Sequence, residues 1–430
     1  MPKDRIISGI DIGSSKICTI IASVNAEGPL SIIGVSTAAS RGIKKGVVVD
    51  IDQAVEAISE SLENAERMAG YTVSSAFVTV NGNHITSLNS HGVVAISSPD
   101  GEISQSDIAR VTEAARAISI PSSREIIHVV PKNFIVDTQE GVHDPAGMSG
   151  VRLEVETHII SGAAMTMRNL VRCVQQVGVE VEDLVFTGLA SAEATLSDTE
   201  KELGVVLLDI GGGTTNMTLF LDGAVAYSAV LVVGGKNVTN DIAIGLRVSL
   251  EDAEKIKLFV SDLKDAPRRT AIDDKSTKAL REEAVKDDAL DISDLKINDL
   301  HTISRKFVIE GVIRPRLREI FDLVALEIKK SGYAGLLPAG VVMCGGGSLT
   351  VGMAETIKES LRVPVRIAQP RGVAGLIEEV VSPAYAASVG SVIYGSRVSA
   401  QSRRSSHSRG LSGAKGISSK MASWLKSFMP

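Results

Sequence analysis

The chain has 430 residues, 44% of them hydrophobic, 22% charged and 3% aromatic, with a formal charge of −6. That balance fits a folded globular protein of several subdomains and excludes collagenous, disordered and disulfide-framework classes. No run of about 18 apolar residues is present, and the first residues lead straight into a strand without resembling a signal peptide.

In chain order, apolar strand-like runs alternate with longer stretches of helical period, an α/β pattern. Residues 6–10 predict a first strand ending in Asp11-Ile12-Gly13-Ser14-Ser15-Lys16. Strands at 17–23, 30–35, 46–49 and 77–80 follow. Residues 52–69 predict a helix, with Val55, Ile58, Leu62, Ala65 and Met68 on one face and Gly70 as its stop. The texture then changes to short strands, a helix near 105–117 and turn clusters, so 85–161 is expected to be an inserted subdomain. A helix over 165–176 returns the chain to the first core, which comprises 1–84 and 162–200. The second half repeats the plan. A strand at 205–208 ends in Asp209-Ile210-Gly211-Gly212-Gly213-Thr214-Thr215-Asn216, and strands at 217–221 and 224–230 form a meander about Asp222-Gly223.

A charge-dense segment, 237–304, is expected to be a small second-lobe subdomain. A long helix around 307–331 should kink or break at Pro315. A strand at 340–344 runs into Cys344-Gly345-Gly346-Gly347-Ser348. Residues 201–236 and 305–395 together predict the second core, and the Ser/Arg-rich stretch 396–414 a flexible linker. Seven basic residues and no acidic one follow Glu379, so an acidic body carries a basic tail. The three cysteines have no metal or CxxC spacing and the seven histidines are scattered. The cysteines are read as small buried hydrophobes in a reducing cytoplasm, and no transition-metal site is expected.

The two aspartate-led loops each follow an apolar run and lie about half a chain apart. Gly13, Gly211, Gly212 and Gly213 let backbone N–H groups approach phosphates without a Cβ clash. Ser14, Ser15, Thr214 and Thr215 add hydroxyls, Asn216 closes the second motif, and Lys16 can neutralise β/γ-phosphate charge. Asp11 and Asp209 suit Mg²⁺, which keeps several waters and is held through them. One such loop is as often a plain turn; a matched pair, each after a buried strand, is far more specific. Gly345, Gly346, Gly347 and Ser348, at a strand-to-helix junction, leave room for adenine or ribose. Glu254 and Lys257, one turn apart, fit either a pair facing ribose and base or a solvated i,i+3 pair, and the spacing leaves both open.

In the last segment, 415–430, Ile417, Met421, Trp424, Leu425 and Phe428 fall on one stripe of a helix. Lys415 and Lys426 lie opposite and Lys420 flanks the stripe. This suits an anionic membrane surface; packing back on the body, or on a partner, is the alternative. About fifteen residues are too few for a stable helix in water, so folding on lipid and weak, reversible binding are expected. Polymerisation would multiply such anchors.

The three glycine loops, in this order, resemble the phosphate-1, phosphate-2 and adenosine motifs of the actin, Hsp70 and sugar-kinase superfamily. Residues 188–198 (GLASAEATLSD) resemble its first connecting helix. Residues 40–52 (SRGIKKGVVVDID) and Val80-Asn81-Gly82 are similar to the bacterial cell-division FtsA family, over roughly 5–395. The resemblance implies an α/β, actin-like two-lobe fold of duplicated RNase H-like cores, with an inserted subdomain and a terminal amphipathic helix. It implies ATP with Mg²⁺, self-polymerisation, and a peripheral location on the cytoplasmic side of the cell membrane at the septum. It also implies tethering of FtsZ by its C-terminal tail and recruitment of later division proteins; no nucleic-acid partner is expected. Glu193 matches the superfamily's water-orienting position, and a single carboxylate there suggests at most slow turnover. Arg305, Lys306 and Glu310 are the matching candidates for the FtsZ tail. The chain departs from the family at about 262–300, which is longer and richer in charge. A pilus-assembly scaffold on the same core, or a small-molecule kinase, are the other readings; an Hsp70-like chaperone is disfavoured because no β-rich substrate domain follows.

Overall fold

A computed structural model describes residues 5–24, 29–263, 288–297 and 300–407. Strands β1 (Arg5–Ile12), β2 (Lys16–Val24) and β3 (Leu30–Ala39) form an antiparallel meander rich in β-branched residues. A small hairpin, β4 (Ile43–Lys44) and β5 (Val47–Val48), leads into α1 (Ile51–Ala69). Asp50 caps that helix by accepting from the Gln53 N–H, and Gly70 ends it at φ +63°, where a side chain would be strained. Strand β6 (Ser75–Val80) then joins β1 in parallel.

The inserted subdomain carries β7 (Thr86–Ala95), α2 (Gln105–Arg116), β8 (Arg124–Val136), β9 (Gln139–Val142) and β10 (Arg152–Ala163), with sheet order β7-β10-β8-β9. Helix α3 (Ala164–Gln176) and β11 (Glu180–Phe186) bring the chain back beside β6. Helices α4 (Thr187–Thr195) and α5 (Asp198–Leu203) cross to the second lobe. There β12 (Val205–Ile210), β13 (Thr215–Leu221) and β14 (Ala224–Leu231) repeat the opening meander. Helices α6 (Gly235–Leu246) and α7 (Leu250–Asp262) follow, then the short antiparallel pair β15 (Ala289–Asp291) and β16 (Thr302–Ser304). Next come α8 (Arg314–Ser331), β17 (Gly340–Cys344), α9 (Met353–Leu361) and β18 (Val365–Ile367), which complete the sheet β14-β13-β12-β17-β18. Strand β19 (Val373–Gly375), a short α10 (Ile377–Val380) and α11 (Ala386–His407) end the described chain.

Each lobe has its own core. Val206, Leu208, Ile210, Phe321 and Met343 centre the second, and Ile10, Ile58, Val78 and Phe186 the first. All three cysteines are buried and free, as their apolar surroundings lead one to expect.

The inserted sheet also touches the second lobe. Ser87 Oγ donates to the Ser228 carbonyl at 2.7 Å, and Asn89 Nδ2 to that of Ala226 at 3.4 Å. His158 Nδ1 faces Asn89 Oδ1 at 2.7 Å and its Nε2 lies 3.1 Å from Ser228 Oγ. Nδ1 therefore carries the proton and Nε2 accepts from Ser228. Burial, with Lys132 nearby, pushes the His158 ring down to about 4, so it stays neutral.

Three expectations differ from the structure. The second core, expected to run to residue 395, gives its end to the first lobe: β19 pairs in parallel with β3, and Val389 and Val392 of α11 pack with Ile7, Ile20 and Phe77. The stretch 396–414, expected to be a linker, is helical through His407, because α11 continues past the apolar residues that dock it; 408–414 lie outside the described residues. The expected helix over 307–331 starts instead with a π-type segment, Phe307–Ile313, in which the Arg314 N–H reaches the Ile309 carbonyl. Pro315 then falls in the first turn of α8, where a missing N–H costs nothing.

Candidate functional site

β1 and β12 end in the same way. In the first turn the Gly13 N–H bonds the Lys16 carbonyl at 3.1 Å; in the second the Gly211 N–H bonds that of Thr214 at 2.8 Å. Asp11 stands opposite Cys18 and Asp209 opposite Asn216, at equivalent register positions. The two turns face each other across the lobes. A Cβ on Gly212 would lie 1.9 Å from Ser15 Oγ, and one on Gly213 would lie 3.1 Å from Ser14 Cβ, so a side chain at either position would force the opposing serine to shift. The third loop closes on the second: Gly345, at φ +78°, leaves no room for a Cβ, which would meet Asp209 Oδ1 at 2.4 Å.

Between these loops lies a cavity of about 750 Å³, lined by Asp11, Ser14, Lys16, Asp209, Gly212 and Gly346 among others. Both aspartates are buried. Asp11 accepts from Thr79 Oγ1 at 2.6 Å and from Ser388 Oγ at 3.0 Å, and Asp209 from Ser191 Oγ. Burial pushes the Asp209 carboxyl up to about 6; the Asp11 charge acts in the same direction, and Ser191 and Lys16 act against it. Two carboxylates so placed fit a hydrated divalent cation, whose charge would offset both their burial and their repulsion. Among the described residues no three His, Cys, Asp or Glu side chains gather as a direct metal cage. Lys16 reaches the same cavity with its Nζ 3.4 Å from the centre of the Tyr385 ring, and burial lowers its pKa.

Glu254 and Lys257 line the far end of the cavity while pairing with each other at 2.7 Å, and both bond Thr239. Lys257 is buried, so the pair is not a solvated one on an open helix face. Leu250, Leu258 and Leu349 line that end too, each about half exposed, an apolar wall suited to a flat base.

The structure does not bring every expected residue to the cavity. Thr215 is buried and its Oγ1 donates to the Val233 carbonyl, the Ser348 hydroxyl donates to the Gly345 carbonyl, and Gly213 faces Ser14. Glu193 lies on the side of α4 that meets α11, ion-paired with Arg397, and is not among the lining residues. Its place on a helix with a matching motif does not settle which face it takes. Asn81, Thr187 and Lys236 do line the cavity, and residue spacing missed them as site residues. Gly234-Gly235-Lys236 at the end of a strand was the one available signal for Lys236. The amide oxygens of Asn81 and Asn216 are buried there with no hydrogen-bond partner among the described residues. Lys306 and Glu310 flank a second, shallow depression with Asp288, Ser304 and Phe307, whereas Arg305 stands outside it; Glu310 also pairs with Arg314 at 3.1 Å. The tail residues Lys415, Ile417, Lys420, Met421, Trp424, Leu425, Lys426 and Phe428 lie outside the described residues. No described helix is long and apolar enough to cross a membrane.

A family model described as cell division protein FtsA matches residues 206–390, and one described as the SHS2 domain inserted in FtsA matches residues 82–161. The chain is also 41% identical over 391 residues to the cell division protein FtsA of Pseudomonas aeruginosa, covering 91% of this chain and 89% of that one. The chain belongs to the FtsA family. It is thus an actin-like cell-division protein, and the inserted sheet described above is the family's SHS2 domain. Among solved structures it is similar to a PilM-PilN type IV pilus biogenesis complex, with a TM-score of 0.58 and 18% identity over 90% of this chain and 98% of that one. It is also similar to MreB5 of Spiroplasma citri bound to ADP, with a TM-score of 0.50 and 14% identity over 94% and 99%. At such identities the likeness is one of fold: the actin-like two-lobe ATPase architecture, with the FtsA insertion.

Proposed function

We propose that this FtsA-family chain binds ATP with Mg²⁺ in its cleft, polymerises on the cytoplasmic face of the cell membrane, and tethers FtsZ there while recruiting later division proteins. The observation that carries the reading is the meeting of two equivalent glycine turns from opposite lobes, each led by a buried aspartate, around one cavity. Backbone N–H groups and hydroxyls of Ser14, Ser15 and Thr214 would hold the phosphates, and Lys16 would offset their charge. Asp11 and Asp209 would orient the waters of Mg²⁺, which supplies the remaining positive charge. The Leu250, Leu258 and Leu349 wall would take the base.

Catalysis is secondary in this reading. Hydrolysis needs an oriented water and charge stabilisation, and the carboxylate expected to supply the first, Glu193, is paired with Arg397 instead. Nucleotide closure of the lobes would set the subunit shape that assembles. Assembly would let many weak terminal helices bind anionic lipid together. The FtsZ tail would dock by Lys306, Glu310 and the half-exposed Phe307, with Arg305 beside them. A pilus-type scaffold has only the fold likeness in its favour.

Electron microscopy on anionic lipid monolayers tests the reading. Full-length protein with Mg-ATP is expected to form membrane-bound filaments, and protein lacking 415–430 to leave the monolayer bare. Absence of filaments under every condition would overturn the polymer assignment.

A further inference from the structure

Among the described residues three lysines line the cleft: Lys16, Lys236 and Lys257. Two of them are held by their own lobes' side chains or by a ring. Lys16 lies over Tyr385, and Lys257 is bonded to Glu254 at 2.7 Å and Thr239 at 3.0 Å. Lys236 differs. It stands in the first turn of α6, on the second lobe, and its Nζ donates to the carbonyl of Ser14 on the first lobe at 2.6 Å. No carboxylate among the described residues pairs with it directly. Its Cε would lie 3.7 Å from a Cβ on Gly212, which places the ammonium where the two glycine turns meet. A neutral carbonyl satisfies one of an ammonium's three donors and does little for its charge. An anionic oxygen satisfies both, and such charge-assisted bonds are roughly twice as strong as neutral ones.

We propose that Lys236 reads the terminal phosphate of a nucleoside triphosphate, exchanging the Ser14 carbonyl for a phosphate oxygen, and so tells ATP from ADP. The inference rests on the reading of the cleft as an ATP site. It adds a cation from the second lobe opposite Lys16 from the first, so that the outermost phosphate is gripped from both sides.

Calorimetric titration of the full-length protein tests it, with Mg-ADP and with the Mg²⁺ complex of a β,γ-imido ATP analogue. Wild type is expected to bind the triphosphate at least about tenfold more tightly than the diphosphate. Lys236→Met should keep its ADP affinity within about twofold and lose that preference, and Lys236→Arg should regain part of it. If Lys236→Met loses ADP binding and its far-ultraviolet dichroism together, Lys236→Gln takes its place. A variant that keeps the preference overturns the proposal. So does an equal loss for both nucleotides, which marks a strut between the lobes and nothing more. Wild type that binds both nucleotides equally sinks this inference alone, whereas wild type that binds neither removes the ATP reading and this one with it.

Discussion

Asp209 shows how the site trades stability for charge. Its carboxyl titrates near 6 in the folded chain against an ordinary 3.8, with burial as the main cause. Between those values the folded state holds a proton that the unfolded state has lost. The group's favourable contribution is therefore complete below about 3.8 and is lost as pH rises through about 6. Above that, the buried carboxylate costs on the order of 1–3 kcal/mol. Asp209→Asn keeps the shape and an acceptor for Ser191. Thermal unfolding of the nucleotide-free protein should show it stabilised by that order at pH 7.5, with the gain shrinking towards pH 5. A variant less stable than wild type at pH 7.5 would refute the buried-charge account. The aspartates were legible in the sequence because each needs only a strand before it and glycine after it. Lys236, Asn81 and Thr187 were not, since each reaches the cleft from an element placed by tertiary packing. Glu193 failed for a related reason: α4 is buried almost all round, so its sequence shows no face.

At the scale of elements, the strand-turn-strand units read well, because alternation, glycine and capping residues are local signals. The return of β19 and α11 to the first lobe was hidden. Nothing in residues 371–395 distinguishes packing on one sheet from packing on the other; the pairing of β19 with β3 and the packing of Val389 and Val392 decide it. The contact between the SHS2 sheet and β14 was equally silent, being made by Ser87, Asn89, His158 and Ser228, residues that otherwise look like solvated strand positions. Ser228→Val would strand the His158 Nε2 lone pair in a buried place, at about 1–3 kcal/mol. Hydrogen exchange should then run roughly ten- to a hundredfold faster for amides along β7 and β14, with β1 and β2 unchanged. Unaltered exchange at that seam would show that the hydrogen bonds there contribute nothing to holding the subdomain.

For the whole molecule, the tail expectation rests on sequence, since 408–430 lie outside the described residues. Trp424 is the only tryptophan and stands mid-stripe among Met421, Leu425 and Phe428. Trp424→Glu should release the protein from anionic liposomes in co-sedimentation while leaving nucleotide affinity as it was; retained co-sedimentation would count against a membrane role for the stripe. Helix α11 bears on this because of where it begins and ends. Its Ser388 hydroxyl touches Asp11, and its 22 residues span about 33 Å before the last described residue. Glycines let its neighbours close in on both sides: a Cβ on Gly390 would strike the Ala190 carbonyl of α4, and one on Gly9 of β1 would meet the Ser391 side chain. A rod clamped in this way carries load with little slack. Sliding α11 along its own axis would therefore pull the Ser388 hydroxyl off Asp11, so the seat of this helix and the first turn of the cleft are set together.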